Sequence, residues 1–237
     1  PDLTAWLVTM GPPVVFYAFH VYTEVPSALA LTLALRLILG KSGPAAAAAA
    51  GLAASALPWL HLKMIPAAVA LGVVALANLR GRPRAVFFAV SGLAAGAFLA
   101  YYALVFGTPW PTALYGGVPA DLAPRTPLRA LVGLLLDRSF GLLPHAPVFL
   151  LALAGIPALW HLKARAHAVV ALAVLAPILT WRMWWGGQCP PGRFLVPLVP
   201  FLALAAGACV AVSTRGLVRW RVPLAAAGLA LAAFMAL

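Results

Sequence analysis

Charged side chains are scarce in this sequence, and acidic side chains are the scarcest. Only 8% of the 237 residues are charged, and four carboxylates stand against sixteen lysines and arginines. In contrast, 65% of the residues are hydrophobic and the mean hydropathy is +1.03. A soluble domain of this length needs far more polar surface, and apolar runs recur along the whole chain. The composition therefore excludes a separate water-soluble domain and predicts a polytopic helical membrane protein.

Cysteine is also scarce, which bears on disulfides and metal sites. The two cysteines are Cys189 and Cys209. A helix covering that separation is roughly 30 Å long, whereas the Cα atoms of a disulfide lie within about 7 Å of each other. Neither cysteine belongs to a pattern of metal ligands. We expect no disulfide between them, no metal site and no cofactor.

The apolar segments predict an all-α fold. We expect a polytopic transmembrane bundle of about eight to nine helices, forming a single transmembrane domain over residues 1–237. The chain begins with Pro1 rather than methionine and ends within an apolar segment, so we expect a fragment truncated at both ends. The candidate spans are 3–19, 25–39, 44–60, 64–79, 85–106, 142–160, 168–181, 194–212 and 222–237.

The basic residues predict the orientation of the spans. Ten of the sixteen occupy alternate short connections without an acid, which is the positive-inside pattern. We therefore expect a multi-pass protein of the cytoplasmic (inner) membrane with its active face periplasmic or extracellular. This distribution also argues against nucleic acid as a partner, despite the net charge of +12. The predicted outer connections are 20–24, 58–63, 107–141 and 182–193; the ten basic residues are Arg36, Lys41, Arg80, Arg82, Arg84, Lys163, Arg165, Arg215, Arg219 and Arg221.

The first predicted outer connection contains His20, Tyr22 and Glu24, within FHVYTEVPS. His20 and Glu24 would share a face if this stretch were helical. A carboxylate at a membrane boundary is costly unless it is hydrated, paired or used. Two interpretations stay open: Glu24 is a hydrated acid favoured by the helix dipole, or it contacts a polar substrate such as a sugar.

His61 and Lys63 mark the second connection, within LPWLHLKMIP. A lysine on the predicted outer side runs against the positive-inside pattern. An ammonium at the mouth of a membrane cavity suits the phosphate of a lipid. The alternative is a lysine that reaches ordinary lipid headgroups.

The third connection, residues 107–141, is long for so economical a chain, which favours a functional role. LRALVGLLLD, residues 128–137, predicts a short amphipathic helix on the membrane surface. Arg138 follows this helix. Contact with a substrate phosphate and contact with lipid headgroups explain an arginine at this position equally well.

WWGGQCPPGRF, residues 184–194, is the fourth connection. Its glycines permit backbone conformations that other residues avoid, while its prolines fix φ. Together they predict a tight non-helical loop, tolerated near a membrane where protein or a wet cavity surrounds it. Arg193 stands at the start of the next helix, and its planar guanidinium suits phosphate or carboxylate. Trp185 and Gln188 are further candidates for substrate contact.

Four motifs, in this order, resemble the GT-C class of membrane glycosyltransferases, and most closely the bacterial branch similar to dolichyl-phosphate-mannose–protein mannosyltransferases. They are distributed over residues 22–204 and read YTEVPSALALTLAL, LPWLHLKMIPAAVAL, DRSFGLLPHAPVFLLAL and WWGGQCPPGRFLVPLVPFLAL. The resemblance implies transfer of a sugar from a polyprenyl-phosphate donor to a protein, lipid or glycan acceptor outside the membrane.

The resemblance also implies roles for individual residues. Glu24 matches an acidic position at the start of an outer-facing helix, Lys63 a basic position ahead of a proline, and Arg193 the basic residue after the loop glycine. The usual catalytic acid lies in an earlier outer loop, so we expect the catalytic residue upstream of residue 1. A transporter or flippase of a polyprenyl-linked glycolipid is the main alternative function. The candidate substrate-binding residues are Glu24, Lys63, Arg193, His61, His20, Tyr22, Trp185, Gln188 and Arg138.

Overall fold

The computed structural model describes residues 11–20, 22–40, 43–111, 127–161, 164–181 and 183–216. Within these ranges the chain consists of helices and connecting loops, which confirms the predicted all-α fold. The predicted span 222–237, the beginning of span 3–19 and residues 112–126 of the long connection lie outside the described residues. The α-helices are α1 (Val14–Ala18), α2 (Glu24–Leu39), α3 (Pro44–Leu60), α4 (Ile65–Asn78), α5 (Gly81–Phe106), α6 (Pro127–Leu136), α7 (Leu142–His145), α8 (Phe149–His161), α9 (Arg165–Thr180) and α10 (Val199–Gly216), and two 3₁₀ helices cover Leu62–Met64 and Arg193–Leu198.

The chain divides into two compact units. The first unit contains the described residues of 1–25, 126–168 and 183–237, and the second unit contains those of 26–125 and 169–182. In the first unit α8 and α10 form the main helix pair, and α6, α7 and the 3₁₀ helix Arg193–Leu198 connect to them. In the second unit α3 and α5 form the main pair, with α4 packed beside them.

Small side chains allow both helix pairs to approach closely. On α3, Gly51 and its alanine neighbours are buried, and a Cβ on Gly51 would lie 3.0 Å from the Phe87 carbonyl oxygen of α5. Between α8 and α10 the approach is closer, since a Cβ on Gly155 would lie 1.8 Å from the Ala205 carbonyl oxygen. Such small-residue contacts are typical of helices that associate without a hydrophobic driving force between them.

Among the residues that the structure describes, two helical segments are long and apolar enough to cross a membrane, by length and composition. They are Gly81–Phe106, of 26 residues, and Arg193–Val210, of 18 residues, which joins the 3₁₀ helix to the start of α10. Only 6% of the most apolar window of the first is buried, against 50% of the second. Several other apolar helices are shorter, so the bundle of eight to nine spans stays a prediction.

The helix predicted within the long connection is present as α6. Its buried residues, Ala130 and Leu134, stand four positions apart. Leu128, Val132 and Leu136 are exposed at the same spacing. Because residues four apart share a helix face, α6 packs on the first unit along one stripe and presents a second apolar stripe outward.

Candidate functional site

A buried ion pair joins the beginning of α2 to the 3₁₀ helix that precedes α10. Nε of Arg193 donates to Oε1 of Glu24 over 2.9 Å, and the Glu24 side chain is 0% exposed. Glu24 is the first residue of α2, where the helix dipole favours a negative charge. Since the carboxylate is buried and paired, the interpretation of Glu24 as a hydrated acid is wrong. Its carboxylate is in direct contact with Arg193.

Two further contacts fix the orientation of the Arg193 guanidinium. Nη1 donates to the Gly186 carbonyl oxygen over 2.9 Å. Cζ lies 4.1 Å from the centre of the Tyr22 ring, which places the guanidinium over the aromatic face. The Arg193 side chain is 19% exposed. A planar fork held by a carboxylate, a carbonyl and a ring is preorganised to present its outer N–H groups to an anion.

The predicted non-helical loop is present between α9 and the 3₁₀ helix that begins at Arg193. Gly186 has φ of 91° and Gly192 has φ of 74°, in the left-handed region that side chains with a Cβ rarely adopt. The turn at Gly186 brings its carbonyl to Nη1, and a Cβ on Gly186 would lie 3.0 Å from Cδ of Arg193. The amide of Gly192 donates to the Phe140 carbonyl oxygen over 3.0 Å. The loop therefore encloses Arg193 from one side.

Aromatic rings form a layer beside the ion pair. The Tyr22 ring lies 5.6 Å from the Tyr17 ring and 5.7 Å from the His20 ring, with the imidazole nearly parallel to it. Tyr17 is buried, and its hydroxyl donates to the Pro190 carbonyl oxygen. Tyr17 thus links α1 to the loop that encloses Arg193. Sequence reasoning missed this residue, although a tyrosine near the end of an apolar span signals a hydroxyl that needs a partner.

No protein-family model, curated protein or solved structure matches this chain. The likeness to GT-C glycosyltransferases therefore rests on the four sequence motifs.

The structure brings together several residues that the sequence nominated separately. Tyr22, Glu24 and Arg193 are in direct contact, and His20 joins them through the Tyr22 ring. His20 and Glu24 do not share a helix face, because α1 ends at Ala18 and α2 begins at Glu24. The first and fourth predicted outer connections thus form one cluster, which we call the Arg193 site.

Trp185 and Gln188 belong to the loop of the Arg193 site. The Trp185 carbonyl accepts a weak hydrogen bond from the Cys189 thiol, with the sulfur 3.6 Å away, and Gln188 is exposed. The neighbouring Trp184 ring lies against α6, since a Cβ on Gly133 would be 2.3 Å from its edge. The loop is consequently attached to α6 on one side and to Tyr17 on the other.

Arg138 is exposed in a turn that borders the same loop. Oδ1 of Asp137 accepts the backbone N–H groups of Ser139 and Phe140, each over 2.9 Å. This turn aims the Phe140 carbonyl at the Gly192 amide. Arg138 is therefore two positions along the chain from Phe140, which contacts the loop.

His61 and Lys63 lie in the second unit, at the 3₁₀ helix between α3 and α4. Nδ1 of His61 accepts the backbone N–H of Lys63 over 3.1 Å and so caps this helix. The His61 ring has a structural role of its own. Lys63 is half-buried, and its assignment to a lipid phosphate remains a prediction from the sequence.

Replacing Asp137 tests whether its turn supports the loop. Asp137→Ala removes the acceptor of two backbone N–H groups, and we expect it to lower the free energy of unfolding by about 1–2 kcal/mol. Asp137→Asn keeps Oδ1 and should cost less than half as much. Thermal unfolding of both variants in detergent measures the difference, and equal losses would show that charge, not the acceptor oxygen, matters.

Within the described residues, no group of three His, Cys, Asp or Glu side chains is placed to hold a metal ion. The side chains of the Arg193 site provide a directed guanidinium, an aromatic surface and an exposed imidazole, which together suit an anionic group that carries a sugar.

Proposed function

We propose that this chain belongs to an integral-membrane glycosyltransferase that moves a sugar from a polyprenyl-phosphate donor to an acceptor on the outer side of the cytoplasmic membrane. The observation that carries the proposal is the orientation of Arg193 by Glu24, the Gly186 carbonyl and Tyr22. Arg193 is the first residue of a helical segment that is apolar and long enough to span a bilayer. A lipid phosphate at such a boundary keeps its charge at the polar end and its chain in hydrocarbon.

The surface of α5 supports a membrane location. Its most apolar window is 6% buried, and large apolar side chains such as Leu93 and Leu104 are 77% and 86% exposed. The core helix of a soluble protein would be mostly buried. A long apolar helix with so much exposed surface is stable in contact with lipid, because the acyl chains of lipids are as apolar as its side chains.

The Arg193 site would recognise phosphate mainly through the geometry of its hydrogen bonds and less through its net charge. Glu24 neutralises the guanidinium, so the pair attracts a distant anion weakly, while its fixed fork offers strong charge-assisted hydrogen bonds at short range. In the transfer, these N–H groups stabilise the negative charge that develops on the departing lipid phosphate. The Tyr22 ring provides an apolar surface against which a sugar ring can pack.

Replacing Arg193 with lysine tests the proposal without removing the partner of Glu24. Arg193→Lys keeps the positive charge and loses the planar fork. Because hydrogen bonds to charged groups contribute about 1.5–3 kcal/mol, we expect the apparent Kd for a polyprenyl-phosphate sugar to rise at least about tenfold. The measurement is transfer of radiolabelled sugar, by the full-length protein in its native membranes, at varied donor concentration.

The matched control is Arg129→Lys, which makes the same change at an exposed position on α6 and should leave donor use unchanged. Lys63→Gln, assayed in parallel, tests the second cation that the resemblance implies. Wild-type protein that binds the donor lipid and moves it across the bilayer without transferring its sugar would support a flippase and contradict the transferase. Unchanged donor use by Arg193→Lys would remove Arg193 from the site.

A further inference from the structure

His20 has one ring nitrogen occupied and the other accessible. Its Nδ1 is hydrogen-bonded to the Phe16 carbonyl oxygen, four residues earlier in the chain. A carbonyl oxygen can only accept, so Nδ1 carries the proton of this bond. In the neutral imidazole, Nε2 is then the nitrogen with the free lone pair. Since the His20 side chain is exposed, this lone pair is available to a substrate.

The ring is also held in place. It stacks on Tyr22 with 5.7 Å between centroids and 26° between planes, and it lies 6.1 Å from the buried Tyr17 ring. Tyr22 carries the Arg193 guanidinium at 4.1 Å. A single aromatic ring therefore contacts both a proton acceptor and a fixed cation, which are the two groups that glycosyl transfer from a lipid phosphate requires.

We propose that His20, in place of the acidic residue that the resemblance puts upstream of residue 1, is the general base of the Arg193 site, accepting the proton of the acceptor hydroxyl at Nε2. This inference rests on the glycosyl transfer proposed above. The acceptor oxygen forms a bond to the anomeric carbon of the sugar while its proton passes to Nε2. The bond between that carbon and the phosphate oxygen breaks, and its electron pair leaves with the polyprenyl phosphate. The imidazolium then returns its proton to water, so the enzyme is unchanged at the end of the cycle.

The other titratable groups around His20 are less suited to this role. The Glu24 carboxylate is buried and bonded to Arg193, and the Tyr17 hydroxyl is buried and bonded to Pro190. Arg193 cannot accept a proton, because a guanidinium stays protonated in proteins. Tyr22 is partly buried and offers its ring as the common surface. Histidine is also the side chain that most often acts as a general base in catalysis.

Two substitutions separate the base from the structural hydrogen bond. His20→Asn places an amide N–H where Nδ1 donates and removes Nε2. His20→Gln places a polar but non-basic group near the position of Nε2. If His20 is the base, both variants should lower kcat about 100-fold while the apparent Kd for the donor stays within about twofold of wild type. The decline of the wild-type rate at acidic pH should also disappear in both variants.

His145 provides a matched control. Its Nδ1 bonds to the Gly141 carbonyl four residues earlier, over 2.9 Å, so His145→Asn makes the same exchange in a similar hydrogen bond. This variant should keep the wild-type rate and pH profile. All variants are assayed in the full-length protein in native membranes with radiolabelled polyprenyl-phosphate sugars, and their unfolding midpoints are compared in detergent.

Wild-type transfer together with normal transfer by His20→Asn would overturn the assignment of His20 and leave the proposed function standing. Absence of transfer by the wild type with every polyprenyl-phosphate sugar would overturn both. A second readout is independent of activity: ¹⁵N NMR of histidine-labelled protein should show His20 with its proton on Nδ1 when neutral. A proton on Nε2 would contradict the proposal.

Discussion

Arg193→Ala is expected to lower the free energy of unfolding by about 3–5 kcal/mol, because it removes the cation from a buried carboxylate. The Glu24 side chain is 0% exposed and its Oε1 lies 2.9 Å from Nε of Arg193. Removing one partner of such a pair leaves the desolvation cost of the other charge without its compensation. Chemical unfolding in detergent, followed by tryptophan fluorescence, measures the loss.

A double-mutant cycle identifies the pair as the cause. Glu24→Leu combined with Arg193→Met replaces both charges with apolar side chains of similar volume, and such replacements are often neutral or stabilising. We therefore expect the double variant to recover most of the stability that Glu24→Leu or Arg193→Met loses alone, although it should be inactive. Additive losses in the double variant would show that the two side chains contribute independently. Arg129→Ala, an exposed arginine on α6, should change stability by less than about 0.5 kcal/mol.

Gly155→Ala is expected to have an effect of similar size, through the contact between α8 and α10. The added Cβ would lie 1.8 Å from the Ala205 carbonyl oxygen and 2.6 Å from its carbonyl carbon. These are backbone atoms, which cannot rotate away, so the two helices must separate. Overpacking of this kind costs about 1–3 kcal/mol and occasionally more, and contact with backbone puts Gly155 at the upper end. The unfolding midpoint in detergent and the yield of folded protein both report the loss.

Gly207→Ala is the matched control for this substitution. Gly207 lies in α10, in the same unit, and a Cβ there would meet nothing within 4 Å. Because alanine is favoured over glycine in a helix by about 0.8–1.0 kcal/mol, Gly207→Ala should be neutral or slightly stabilising. Wild-type stability of Gly155→Ala would contradict the close approach of α8 and α10.

The all-α fold was predictable because composition and hydropathy decide it locally. The helix of the long connection and the non-helical character of WWGGQCPPGRF were also predictable, since amphipathic spacing and glycine–proline content act over a few residues. The membrane topology was harder to predict from the sequence. In the described part of the chain, two segments are apolar and long enough to span a bilayer. Whether shorter apolar helices also span it depends on tilt and on partners that a single sequence does not specify.

Several residues of the Arg193 site could be predicted from the sequence, but their contacts with one another could not. Glu24 and Arg193 were each nominated from local patterns, but their pairing depends on tertiary packing within the first unit that brings Glu24 to the Gly-Pro loop. Glycine conformations at Gly186 and Gly192 determine where that loop turns. Tyr17 lies in none of the sequence motifs, and its hydrogen bond to Pro190 depends on the same loop. Local sequence identified polar residues, and only the fold showed which of them are partners.

The separation of Glu24 and Arg193 along the chain has a consequence for biosynthesis. The two residues are 169 positions apart, so at the usual rate of synthesis Glu24 leaves the ribosome roughly ten to thirty seconds before Arg193. Throughout that interval the nascent chain contains an acidic residue without its basic counterpart. A carboxylate enters hydrocarbon only at high cost, so Glu24 must wait at the aqueous boundary or take up a proton. The beginning of α2 therefore reaches its final position late, after Arg193 has emerged.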